Sequence, residues 1–539
     1  MSEINSLNKK LNKIIIETNG LSIFNTLELL SYENLNEQES QCLQDFIKKL
    51  KLFNNDELDI EDLLNHPIGI AFYDFLKSFP LKYHEEHIHL TGSLSAEFIY
   101  PRLKKLLDGK NGNIYSQKIV NIYGKNALPI NSIGDVEKLI VLKDGEKFSR
   151  YLDLLYLAKI ILNTKQDHID AAYHMASELY HKYNVGSIRL KFTLSRSTSD
   201  EKEAILNEDL ATEEDVVLGL HEGFEKFKEE YPDFGYVLSP SFRKEANFFD
   251  ATKFKTKKES FEYQVNCLID ILEKYPFLQN VMKDIDTVGD EKNIYKKAHF
   301  ETLKQGIRKL QYYGFKIRSH HGETFHTLKK GVQAVDNALN IWNIDTLEHG
   351  LSIGINPNYY FQRLLQKVLK LNQNSQPLDD KSMEYREIQE IHWNENNSSI
   401  RDKITNGIKL NSDEVLEFTK IKFHTAIEIE RYQHDVLNRI ISKDIGVVGL
   451  PSSNLKLTTA IPDYKDHPFS WWEKKGIKLG IGTDNYITLD TNYIREMLII
   501  LFSDAHNLKI TKLLMVACKE NRRAYISSLL WKMNKKQYK

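Results

Sequence analysis

The stretch YHEEHIHL, residues 83–90, marks the point where the texture of the chain changes. Up to about residue 80, segments such as LSIFNTLELLSY (21–32) and QCLQDFIKKLKLF (41–53) space apolar residues three and four apart, the period of an amphipathic helix. From residue 83 onward, short β-rich runs alternate with long amphipathic stretches, the pattern of β/α units around a parallel sheet. Seven more runs follow: SIRLKFTL (187–194), GYVLSPSF (235–242), NVMKDIDTV (280–288), FKIRSHH (315–321), IDTLEHG (344–350), IGVVGL (445–450) and IKLGIGTD (477–484). Eight parallel strands close a (β/α)₈ barrel, whose active site lies at the C-terminal ends of its strands. The expected architecture is therefore α/β: a TIM-like barrel over residues 81–539, preceded by a helical extension over 1–80. Two spacers exceed what a crossover helix needs. One contains FSRYLDLLYLAKIIL (148–162); the other, at about 355–440 between strands six and seven, is centred on the polar tract 372–402. Such a tract reads as a lid, a disordered loop or an assembly contact.

Composition narrows the function classes. The 539 residues are 41% hydrophobic and 27% charged, the balance of a globular chain. Lys and Arg (73) nearly cancel Asp and Glu (75), so no global field draws the chain to nucleic acid or membrane. The N-terminal MSEINSLNKKLNKIIIETNG lacks a secretory h-region, and no run of 18 apolar residues occurs. Cys42, Cys267 and Cys518 form no CxxC pair. A disulfide framework or a thiolate zinc site is not expected, and a reducing, cytoplasmic setting fits.

Chemistry-bearing residues gather at the ends of the expected strands. Side chains two apart on a strand face the same way, so His87 and His89 can converge on one ion, with His84 on the opposite parity. The fifth run ends in His320-His321-Gly322-Glu323, where alternation directs one of the two histidines inward without saying which. The sixth ends at His349, and Asp484 and Asn485 follow the apolar run IKLGIG, where a buried carboxylate is costly unless it meets a cation or several donors. Imidazole and carboxylate ligands without thiolate suit Zn²⁺, with Fe²⁺ or Mn²⁺ ranked below it. An open coordination position would lower the pKa of a bound water toward neutrality. Residue types and positions thus indicate a metal-dependent hydrolase and name no substrate.

HIHLTGS (87–93), SIRLKFTLS (187–195), DTVGDE (286–291), HHGE (320–323), EHG (348–350), LPSSNLKL (450–457) with His467-Pro468, and GTDN (482–485) follow in one order. In that ordered set the chain resembles the adenosine deaminase family of metal-dependent amidohydrolases. The resemblance implies His87, His89, His320 and Asp484 as ligands of one metal. It implies Glu323 as proton donor to purine N1, and His349 and Asp484 as the groups that orient and deprotonate the bound water. Gly289 matches the glycine whose N–H meets purine N3. The implied reaction replaces the 6-amino group of an adenine nucleoside or nucleotide by oxygen, through a metal-bound hydroxide, with release of ammonia. Two positions depart from the family. Asn485 stands where a second aspartate contacts N7, and an amide donates at any pH. Thr91 stands where an aspartate holds the ribose 5′-hydroxyl; without that carboxylate, and with Ser93 nearby, a 5′-phosphate is not repelled. The implied substrates are accordingly adenosine, AMP, dAMP or ATP.

Nucleotide-acting relatives occur in purine salvage and in bacterial anti-phage systems. The extension and the insertion leave room for a homo-oligomer or a protein partner. The alternatives are another single-metal amidohydrolase on the same barrel, or a relict scaffold within a larger assembly. The HxE and PCxxC signature of the other deaminase class is absent, as is a P-loop. Lys283 lies where binuclear amidohydrolases carry a modified lysine, but the glutamate of HHGE fits the single-metal type. Phe148, Tyr151, Leu152 and Leu155 form a stripe read as core packing, with closure over a purine as the second reading.

Overall fold

The structure, a computed structural model, describes residues 2–146, 148–194, 210–520 and 523–537. Eight parallel strands pair in chain order: β1 (Tyr83–His89), β2 (Val185–Thr193), β3 (Gly235–Arg243), β4 (Asp284–Val288), β5 (Lys316–His321), β6 (Thr346–His349), β7 (Gly446–Gly449) and β8 (Lys478–Ile481). A parallel bridge between Ile88 and Asp484 completes the ring, with His89 N–H donating to Asp484 O at 2.8 Å and Asp484 N–H to His87 O at 2.9 Å. The chain is thus an α/β barrel of the TIM-like (β/α)₈ type. The fourth strand is shorter than its sequence run, because Pro276–Asn280 forms a tight 3₁₀ turn ahead of it. Ser195, the last residue of the second motif, lies outside the described residues.

Helix starts are written in the side chains. Thr212 with Asp215, Thr164 with Asp167, and Asn411 with Glu414 form reciprocal capping boxes on Glu213–Glu230, Lys165–Tyr183 and Ser412–Ser442. Each satisfies backbone donors that a helix otherwise leaves unpaired. Ser412–Ser442 is the return helix from β6 to β7; its 31 residues run about 45 Å.

The N-terminal helices Ser2–Glu17, Ile23–Ser31, Glu37–Asn54, Ile60–Leu64 and Pro67–Lys77 share one apolar core with the barrel. They lie against the helix Tyr493–Ser503 that follows β8. The Phe46 and Phe72 rings meet Phe502 edge-on at 5.8 and 6.1 Å. The insertion after β6 carries the helices Pro357–Gln373, Met383–Glu390 and Ser398–Thr405 and buries a core of its own, which includes Leu364, Ile388, Ile404 and Phe418. The polar tract is therefore helical and packed. It docks on the barrel through apolar contacts to Leu328, Leu351, Ala460 and Ile461 and through a polar one: the buried Glu387 carboxylate accepts from Leu328 N–H and from Tyr360 Oη, each at 2.7 Å. Among the described residues no helix is long and apolar enough to cross a membrane. Cys42, Cys267 and Cys518 are free thiols.

Candidate active site

At the C-terminal rim of the barrel the imidazoles of His87, His89 and His320 face one another. His87 Nε2 lies 3.1 Å from His89 Nε2, and His89 Nε2 lies 3.4 Å from His320 Nε2. The Asp484 Oδ1 atom stands 3.7 Å from His87 Nε2 and 3.4 Å from His89 Nε2. Behind them the other ring nitrogens of His87 and His320 are held. His87 Nδ1–H donates to Glu348 Oε2 at 2.8 Å, and His320 Nδ1–H donates to Asp286 Oδ1 at 3.0 Å. A carboxylate on Nδ1 fixes the tautomer and turns the Nε2 lone pair inward. Lone pairs so aimed repel unless a cation sits among them. The three imidazole nitrogens, with Asp484 Oδ1 beside them, fit a divalent metal.

A wider frame holds the frame. Lys191, fully buried on β2, bonds Glu348 Oε1 at 3.0 Å and makes a short contact to Asp286, so one ammonium bridges the carboxylates that orient His87 and His320. Arg318 adds a second cation to Glu348. Against the effect of burial, Arg318 and Lys191 hold the Glu348 carboxyl down at about 2, whereas burial raises the Asp286 carboxyl despite Lys191. The register explains the placement: Lys191 pairs with His89 across β1 and β2, and Glu348 with His320 across β5 and β6.

Facing the histidines, His349 Nε2 lies 3.7 Å from Glu323 Oε2, and both side chains are buried. With Asp484 they form a second convergent group. Strict alternation would place Glu348 and His349 on opposite faces. The backbone resolves this: His349 has φ 66° and Asp484 φ 65°, a left-handed conformation rare outside glycine and concentrated at functional sites. His349 Nδ1 meets the Asn454 amide at 3.1 Å, whose Oδ1 meets His467 Nε2 at 3.1 Å. His349 Nε2 is buried with no partner. Glu323 is set by Glu291, whose carboxylate accepts the consecutive N–H groups of Gly322 (2.9 Å), Glu323 and Thr324 (2.7 Å).

Burial governs the electrostatics. It holds the His87, His320 and His349 imidazoles well below their usual range, with Lys191 adding to the effect at the first two. Histidines kept neutral are histidines able to bind a metal. Burial pushes the Asp484 carboxyl up to about 7 despite the 2.6 Å bond from Ser453 Oγ, the position of an acid that needs a cation to ionise fully. Burial, and next the charges of Asp484 and Glu291, lift Glu323 well above the carboxylate range, which suits a proton donor.

The other expected residues fall as follows. His321 turns away from the cluster: its Nδ1 meets Ser319 Oγ at 2.7 Å and its ring packs on Phe300 and Trp342. His84 meets Ser187 on the outer side, and Lys283 is exposed just ahead of β4. Asn485 Nδ2 donates to Tyr151 Oη at 2.5 Å and to Asp484 Oδ1 at 2.9 Å, and its Oδ1 is buried without a partner. Gly289 has φ 107°, and a Cβ there would stand 2.1 Å from a Glu245 carboxylate oxygen. Thr91 is half-buried, and the Ser93 Oγ accepts from Tyr486 N–H at 3.2 Å. Tyr151 and Leu154 are buried with Leu457 and Leu489, while Phe148 lines a cavity of about 1050 Å³ that reaches Glu323.

Sequence reasoning missed Lys191, Asp286, Glu291 and Glu348. The signals were present: a lysine inside an apolar strand needs partners, and three carboxylates sat in DTVGDE and EHG.

No family model matches the chain, and no curated protein matches it. Solved structures do. A zinc-bound amidohydrolase from Burkholderia ambifaria aligns at 13% identity and a TM-score of 0.48, over 86% of this chain and 94% of the other. The adenine deaminase of Arthrobacter aurescens aligns at 12% identity and 0.45, over 84% and 99%. The N6-mAMP deaminase of Arabidopsis aligns at 13% identity and 0.49, over 86% and 99%.

Proposed function

We propose that the chain hydrolytically removes the 6-amino group of an adenine nucleoside or nucleotide. The observation that carries this reading is the meeting of two groups at the C-terminal rim of the barrel. His87, His89 and His320, with Asp484 Oδ1 3.4 Å from His89 Nε2, could hold a metal ion, and beside them stand Glu323, whose carboxyl burial lifts well above its usual range, and His349, whose imidazole burial holds well below its own. A divalent cation bound by those four residues would supply an activated water.

This chain's residues do the rest. Glu323 carries its proton toward purine N1, which makes C6 electrophilic. His349, neutral and with Nε2 unpartnered, orients the water and takes a proton from it, and Asp484 accepts its hydrogen bond. The water oxygen bonds to C6 and the C6–N6 bond breaks. Of the two water protons, one leaves with ammonia and the other ends on N1, so the product is the 6-oxo purine. Gly289 N–H and Thr91 are the proposed contacts to N3 and the 5′ end; Asn485 is the proposed donor to N7, which requires its Nδ2 to give up its bond to Tyr151 Oη or to Asp484 Oδ1. The test is ammonia release from adenosine, AMP, dAMP and ATP by the metal-loaded protein. Turnover of at least one, abolished by a chelator, is expected. A fully metal-loaded protein that turns over none contradicts the reading.

A further inference from the structure

The cavity that opens from Glu323 is lined by charges of both signs. Its acids include Asp59 and Glu61 from the N-terminal extension, Asp144 and Glu146 from the segment before Phe148, Asp490, and Asp463 from the loop after β7, whose carboxyl burial raises with Asp56 and Asp59 nearby. Its cations include Lys292, from the loop after β4, and Lys381 and Arg386, from the insertion. Among the described residues these side chains are weakly neutralised. Lys292 Nζ lies 3.9 Å from Asp290. Arg386 spends Nε and one Nη on the carbonyls of His326 and Lys381, and among the described residues neither the Arg386 nor the Lys381 side chain forms an ion pair, although Lys381 N–H donates to Asp379 Oδ1 at 3.0 Å. Their field is felt locally: after burial, Arg386, Lys330 and Lys292 are what hold the His326 imidazole down. Next to Glu323 in the chain and on the same lining is Thr324, 5% exposed, whose Oγ1 has no hydrogen-bond partner. A buried hydroxyl left unpaired costs free energy, and one that lines a cavity can recover it from a ligand.

We infer that Lys292, Lys381, Arg386 and Thr324 form an anion subsite that holds the phosphate chain of the substrate nucleotide. This deepens the proposed function and rests on it for the identity of the base. At about 1050 Å³ the cavity is as large as the upper end of small-molecule sites, about 300–1,000 Å³, and it begins at Glu323, so a phosphate chain leaving the base has room in it. The carboxylates on the same lining repel phosphate, which leaves the cations as its place to bind. Two of the three cations come from the insertion, so the segment added to the barrel acts in substrate selection.

The test is titration of the full-length, metal-loaded protein with inosine, IMP, ITP and tripolyphosphate. ITP should bind more tightly than inosine, with an advantage that shrinks as salt rises. The Lys381→Ala/Arg386→Ala variant should weaken ITP and tripolyphosphate by about tenfold or more, the scale of lost charge-assisted hydrogen bonds, and leave inosine unchanged. Lys292→Ala, in the barrel itself, should act in the same direction should the double variant fold poorly. Equal ITP affinity in wild type and variants, or no preference for ITP over inosine, overturns the subsite. Phosphate-dependent binding of tripolyphosphate by a protein that ignores inosine supports the subsite while contradicting the purine reading.

Discussion

At the residue scale the proposed chemistry rests on Glu323 and His349, whose roles separate in experiment. Glu323→Gln keeps the shape of the side chain and removes the acid. It should retain metal and lower kcat by at least about a hundredfold, the scale of a general acid. Unchanged turnover would remove Glu323 from that role. The neighbouring histidines differ as sharply. His320→Ala should abolish metal binding, whereas His321→Ala, which cuts a ring packed on Phe300 and Trp342, should lower stability and keep the metal. Metal analysis of the two purified variants decides between them, and the reverse pattern would refute the ligand set. The ligand candidates were legible because each stands at a strand tip beside a glycine or an apolar run. The pairing of Lys191 was not, because its partners Asp286 and Glu348 lie 95 and 157 residues away, and only the closed ring brings them together.

At the scale of elements, the insertion is joined to the barrel through Glu387. Burial pushes this carboxyl up from 4.5 to about 7. An acid with a raised pKa in the folded state stabilises the fold when protonated. That contribution is complete below pH 4.5 and is lost as pH rises through about 7. Glu387→Gln keeps an acceptor for Leu328 N–H and Tyr360 Oη and cannot ionise. It should match the wild type near pH 4 and exceed it at pH 8 by on the order of 3 kcal/mol. Denaturant melts at the two values test this, and a wild type more stable than the variant at pH 8 contradicts it. Strand positions were readable from alternating β-rich runs, all eight within a few residues. The helices inside the polar tract were not, because Met383–Glu390 and Ser398–Thr405 gain their order from packing against distant helices.

For the whole molecule, the N-terminal extension is part of the barrel's core. Leu11, Ile15, Phe46, Phe53 and Phe72 are all buried, and the extension is pinned by backbone bonds such as Phe24 N–H to Ala505 O at 2.8 Å. A chain starting at residue 79 would expose the Tyr493–Ser503 helix. It should be insoluble or melt far below the intact protein, and an unchanged melting curve would show the extension to be independent. Its helical period was plain in the sequence; its docking face was not, since an amphipathic stripe does not name what it packs on. The measurement that bears most directly on the account as a whole is X-ray absorption spectroscopy of the zinc-loaded protein alongside its metal content. One zinc per chain, with a shell of three imidazole nitrogens and oxygen that loses a nitrogen in His89→Ala, is the expected result. No stoichiometric metal, or a shell unchanged in that variant, would contradict it.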